Sequence, residues 1–121
     1  MTIAIDFDGV IAEYRHFKGK GVFGPPIEGV KEALIEFREA GHIIIINTTR
    51  LEVHQIAEYM ELNGLPYNYI NFNPKNIEQL LHPSKVLADV YIDDRGVTFS
   101  GKWSPEFIDM VLNFKPYWRE L

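Results

Sequence analysis

Apolar and polar residues change their period several times along this chain, and each change marks an element. Residues 2–6 read as an opening strand. Residues 28–40 carry Val30, Ala33, Leu34 and Phe37 at helical spacing on one face, and Gly41 is placed to end that helix. Ile43, Ile44, Ile45 and Ile46 then form an unbroken β-branched run, the pattern of a strand covered on both faces inside a parallel sheet. A second helix over 51–63 buries Val53, Ile56, Ala57 and Met60 and is closed by Gly64 and Pro66. A short strand follows at 69–71, then one or two helical turns at 77–81 that stop before Pro83, then another buried strand over 88–92. Residues 97–103 read as a small extension or hairpin. The last helix starts with Ser104 as N-cap and Pro105 at its first position, and turns Phe107, Ile108, Val111 and Leu112 inward. Strands alternating with helices predict an α/β fold, a doubly wound three-layer parallel sheet of Rossmann-like form. Such sheets bind ligands outside the carboxyl ends of their strands.

That rule gives weight to the polar residues. Three of the strands end in polar clusters: Asp6 and Asp8 with Gly9, then Thr48, Thr49 and Arg50, then Asp93, Asp94 and Arg95. Parallel strands share a direction, so all three clusters emerge on one edge. Within a strand, Asp6 and Asp8 would point to one face, but the turn beyond the strand end can splay them. Gly9 frees that turn and lets backbone approach a ligand. Like charges at this density persist only beside a cation or an opposing group. Converging carboxylates with room for water make a hard-oxygen site suited to Mg²⁺, which binds through one or two carboxylates plus substrate phosphate.

The 121 residues, 46% hydrophobic, predict one domain over 1–121, without internal repeat or linker. There is no apolar run of membrane-span length and no basic leader before the first strand, so the expectation is a cytoplasmic protein with no membrane partner. The absence of cysteine excludes a disulfide framework and a thiolate metal site. A net charge of −5 weighs against long nucleic acid as partner, which needs a basic footprint. His16, His42, His54 and His82 stand in unlike contexts and fit exposed or helix-edge positions better than a metal site.

The chain resembles the haloacid dehalogenase (HAD) superfamily of aspartate-nucleophile phosphohydrolases. The resemblance rests on Asp6-Phe7-Asp8-Gly9-Val10 for the first motif, Ile45 to Arg50 for the second, Lys85 for the third and Tyr91-Ile92-Asp93-Asp94-Arg95 for the fourth. It implies that Asp6 is the nucleophile, giving an aspartyl-phosphate, and that Asp8 is the general acid and base. It further implies that Thr48 hydrogen-bonds a phosphoryl oxygen and that Lys85 neutralises phosphoryl charge. Mg²⁺ would be held by Asp6, the Asp8 backbone carbonyl and Asp93, with Asp94 close by. Gly9, Thr49 and Arg50 complete the expected substrate contacts. Lys75 competes with Lys85 for the third motif, and Arg50 and Arg95 either contact substrate or pair with nearby acids.

The intervals after Asp8 and after the second helix are too short for an inserted cap domain, so the resemblance is to the small capless type. The stretch 13–26 forms either a flap above the site or a solvated turn. The aromatic tail of Phe114, Tyr117 and Trp118 packs a helix or makes an oligomer contact. The expected activity is Mg²⁺-dependent hydrolysis of a phosphomonoester of open identity. Rival readings are an end phosphatase of polynucleotides, similar to the phosphatase half of polynucleotide kinase-phosphatase, a receiver-like signalling domain and an inactive scaffold.

Overall fold

The apolar runs at the start of the chain and at residues 43–46 become adjacent central strands. In the computed structural model, which describes residues 1–82 and 84–120, β1 (Thr2–Ile5) pairs in parallel with β2 (Ile43–Ile46), from Thr2 opposite Ile43 to Ile5 opposite Ile46. On the far side of β2 lies β3 (Tyr69–Ile70), and on the far side of β1 lies β4 (Val90–Ile92), with Ile3 opposite Val90 and Ile5 opposite Ile92. All pairings are parallel, and the order is β3-β2-β1-β4. The helices are α1 (Val30–Glu39), α2 (Val53–Leu62) and α3 (Pro105–Leu112), with a 3₁₀ turn at Ile77–Leu80 and another at Tyr117–Glu120. The result is a Rossmann-like α/β arrangement. Pro83, expected to stop the 3₁₀ segment, lies outside the described residues.

Alternation along the strands divides the core. Ile3, Ile5, Ile44 and Ile46 pack on one face with Phe7, against Leu34 of α1 and Ile56 and Met60 of α2. Ala4 and Ile45 point to the other face and meet Val86, with Ile43 and Ala88 at the margin. Each fully buried isoleucine contributes about 2 kcal/mol, so the first face supplies most of the stability. α1 and α2 are anchored there, and β1 and β2 hold the site from beneath.

Three expectations need correction. The strand near residue 90 is not buried, because Val90, Tyr91 and Ile92 are each 36–38% exposed. Among the described residues it is an edge strand paired only with β1. The last helix does begin with Ser104, whose Oγ accepts from Phe107 N at 3.1 Å, with Pro105 next, but none of its residues is buried. Its Ile108, Val111 and Leu112 face solvent, while Phe107 joins Phe99 and Trp103 in a small aromatic group of edge-on and tilted rings. An amphipathic stripe states that an element has an apolar side; it does not state what covers that side. Of the extension or hairpin expected at 97–103, the hairpin does not form. Val53, in the first turn of α2, also remains exposed at 36%. No described helix is long and apolar enough to cross a membrane.

Candidate functional site

Because β1 and β4 are parallel neighbours, their ends emerge side by side, and Asp6 N donates to Ile92 O at 2.9 Å. Asp6, Asp93 and Asp94 each offer a carboxylate oxygen, and these oxygens lie within 4.8 Å of one another. Asp6 Oδ1 accepts from Phe7 N at 2.8 Å, Asp93 Oδ1 from Arg95 N at 2.7 Å, and Asp94 Oδ2 from Trp118 Nε1 at 2.5 Å. Asp94 Oδ1 is buried without a donor. Burial, then the hydrogen bond with Asp94, then the charges of Asp93 and Asp94 push the Asp6 carboxyl up to about 8, partly offset by Phe7 N–H. Three acids this close cannot all ionise without a cation. The orphaned oxygen and the all-carboxylate donor set fit a hard divalent ion such as Mg²⁺.

Gly9 is required by this packing. It has φ +82°, and a Cβ on it would collide with the Asp94 carboxylate and sit 3.1 Å from Trp118 Nε1. Its own N–H donates to Ala12 O at 2.8 Å and its carbonyl accepts from Tyr117 Oη at 2.7 Å. Gly9 therefore serves close packing around Asp94, with its amide spent inside the turn.

Asp8 is splayed away from Asp6, as the turn after the strand allows, and its side chain meets Arg50. Arg50 Nε reaches Asp8 Oδ2 at 2.6 Å and Nη2 reaches Asp8 Oδ1 at 3.0 Å, a bidentate pair. The Arg50 side chain is only 6% exposed and that of Asp8 19%. Arg50 also donates to Gly19 O and Val22 O, both at 3.2 Å, and to Glu52 Oε2 at 3.3 Å, with its guanidinium between the rings of Phe17 and Phe23. The hydrogen bond to Asp8, first among several causes, holds the Arg50 proton more tightly than usual. Glu13 N to Pro25 O and Ile27 N to Ile11 O close the base of loop 13–26, both at 2.8 Å. The stretch expected to be either a flap or a solvated turn is thus a loop closed at its base and held by Arg50.

A cavity of about 480 Å³ gathers all three strand ends: Asp6 and Asp8, Asn47, Thr48 and Thr49, and Asp93 to Arg95. Thr48 is placed by Asn71, whose Oδ1 accepts Thr48 N at 2.8 Å while Asn71 itself adopts φ 55°. Thr48 Oγ1 accepts Arg50 N at 3.1 Å. Neither candidate lysine lines this cavity. Lys85 Nζ lies over the Tyr91 ring, 4.4 Å from its centroid, and Lys75 is exposed with its backbone N–H on Asn73 Oδ1. Arg95 is the cation at the cavity wall.

Tyr14, Tyr117 and Trp118 also belong to the site. Where the pattern predicts helix packing for this tail, Trp118, 6% exposed, donates to Asp94 and packs edge-on with Tyr14 at 5.1 Å, and Tyr117 braces Gly9. No spacing rule could have found them, since Tyr117 and Gly9 lie 108 residues apart.

No family model matches the chain, and no curated protein matches it. Among solved structures, the chain is similar to a conserved protein coded by a locus of Bacteroides thetaiotaomicron. The two are 32% identical with a TM-score of 0.62, over 93% of this chain and 88% of that one.

Proposed function

The chain belongs to the family of that Bacteroides thetaiotaomicron protein, and we propose for it a Mg²⁺-dependent phosphomonoester hydrolase activity of the haloacid dehalogenase type, on a doubly wound core. The observation that carries this reading is the convergence of Asp6, Asp93 and Asp94 within 4.8 Å, beside the hydroxyl-bearing Thr48 and Thr49, at the carboxyl edge of a parallel sheet.

In this reading Asp6, Asp93 and Asp94 hold the ion, which when bound offsets the repulsion between an anionic nucleophile and an anionic ester. Asp6 attacks phosphorus, the P–O bond to the leaving group breaks, and an aspartyl-phosphate forms. Water then cleaves that acyl phosphate and returns the carboxylate. Thr48 and Thr49 offer hydroxyls to the phosphoryl oxygens, and Arg95 supplies the cationic wall. Asp8 gives a proton to the leaving oxygen and later takes one from water. Both of its oxygens are engaged by Arg50, so proton delivery requires Arg50 to release one of them, and with it some of its hold on loop 13–26.

The test is hydrolysis of an aryl phosphate with Mg²⁺ and with chelator, beside the Asp6→Asn variant. Turnover that needs the ion and vanishes in the variant supports the reading. Turnover insensitive to both refutes it.

A further inference from the structure

Next to the acidic cavity lies a second one of about 490 Å³, walled by Arg15, Arg95, Arg119, His16, Tyr14 and Trp118. Tyr14 and Arg95 line both, so the two cavities adjoin at that edge. The second cavity brings three guanidinium groups together on a chain of net charge −5. None of the three makes an ion pair among the described residues. Two lie over an aromatic ring. Arg95 lies over the buried Trp118 indole at 5.1 Å and Arg119 at 5.9 Å. A guanidinium stacked on an aromatic face keeps its N–H edge free and loses less entropy when an anion docks, which favours planar, bidentate recognition of phosphate or carboxylate.

We propose that the substrate is a phosphomonoester bearing a second anionic group, phosphate or carboxylate, held by Arg15, Arg95 and Arg119 while the scissile phosphoryl group occupies the acidic cavity. This rests on the phosphatase reading for the identity of the scissile group. The annex itself rests on the arginine geometry.

The experiment compares kcat/KM for glycerol phosphate, phosphoglycerate and fructose bisphosphate with Mg²⁺, in wild type and in Arg119→Gln. It adds calorimetric binding of the same compounds to Asp6→Asn, with and without Arg119→Gln. A charge-assisted bidentate contact predicts a preference of about 10- to 100-fold for the doubly anionic compounds, largely abolished in Arg119→Gln and weakened by salt. Comparing the phosphoglycerate and bisphosphate arms tells carboxylate from phosphate. Equal use of singly and doubly anionic esters, or a preference that survives Arg119→Gln, overturns the proposal. Arginine-dependent binding without Mg²⁺-dependent turnover supports the annex and refutes the hydrolase reading, so the two failures are distinguishable.

A separate observation concerns the uncovered side of the fold. The chain exposes 8334 Å², whereas a folded 14.0 kDa monomer typically exposes about 6,700 Å². The excess of about 1,600 Å² is twice the roughly 800 Å² that each partner contributes to a standard interface. Large apolar residues exposed within 90–112 include Val90, Tyr91, Ile92, Trp103, Val111 and Leu112. A groove of about 270 Å³ lies between Ile92 of β4 and the Val30, Ala33 and Phe37 side of α1.

We infer that a second copy of this chain covers this face in a two-fold dimer, with α3 of each copy in the groove of the other. Light scattering after size exclusion is expected to give a dimer at micromolar concentration and a monomer for Ile108→Asp/Val111→Asp of unchanged circular dichroism. Hydrogen exchange on wild type supplies the check that needs no variant: α3 amides gain protection as concentration rises. A wild-type monomer with concentration-independent exchange means that the face is closed within one chain, and overturns the inference.

Discussion

Replacing Arg50 with Met tests the claim that one guanidinium holds the loop and the acid together. The substitution keeps a flexible apolar body between Phe17 and Phe23 but removes every donor to Asp8, Gly19 O and Val22 O. An exposed ion pair is worth about 0–1 kcal/mol. Breaking a buried one costs about 3–5 kcal/mol, because a desolvated charge is left behind. With side chains 6% and 19% exposed, this pair lies nearer the buried limit, although Asp8 can regain some water. The expected loss is therefore about 2–3 kcal/mol, or about 8–12 °C in Tm for a domain of this length. Urea unfolding of wild type, Arg50→Met, Asp8→Asn and the double variant closes a cycle whose coupling should be about 1.5–3 kcal/mol. Limited proteolysis should show new cleavage confined to 13–26, since the loop's middle loses its Arg50 anchors while its base bonds remain. A loss below about 1 kcal/mol without loop cleavage would refute the reasoning, for it would mean that the pair is solvated and the loop holds itself.

Further predictions concern the acidic cluster and its braces. The Asp6 carboxyl titrates near 8 when folded against 3.8 ordinarily, so the folded metal-free protein binds a proton that the unfolded chain has released. Its stability should fall as pH rises through that window, and Mg²⁺ should restore Tm most at the alkaline end; a metal-free Tm that climbs over the same range would contradict the cluster. Gly9→Ala should lower Tm and weaken Mg²⁺ binding in titration calorimetry, since its Cβ displaces Asp94 at a backbone φ of +82°. Trp118→Phe removes the indole donor to Asp94 Oδ2 and should change Mg²⁺ affinity measurably, whereas an unchanged isotherm would make Trp118 a packing residue alone. Tyr59→Phe removes the 2.8 Å bond to Gly24 O but keeps the edge-on rings with Phe7 and Phe23, and should cost about 1 kcal/mol in urea unfolding.

The periodicity of the chain determined a good deal. It sets the two central strands, the first two helices within two residues at either end, the Ser104-Pro105 start of α3 and the parallel sense of the sheet. These depend on local pattern and capping chemistry, which act over a few residues. Parallel pairing then carried Asp6, Thr48 and Asp93 to one edge without further information.

Tertiary structure decided what local pattern does not encode. It turned Asp8 towards Arg50, set Lys85 on Tyr91 rather than at the cavity, drew Tyr117 and Trp118 from the chain's end to Gly9 and Asp94, and left β4 and α3 uncovered. Each depends on which distant groups meet, and burial and hydrogen bonding reward that meeting regardless of sequence separation. A residue's type limits the partners it can accept, but only the packed chain selects among them.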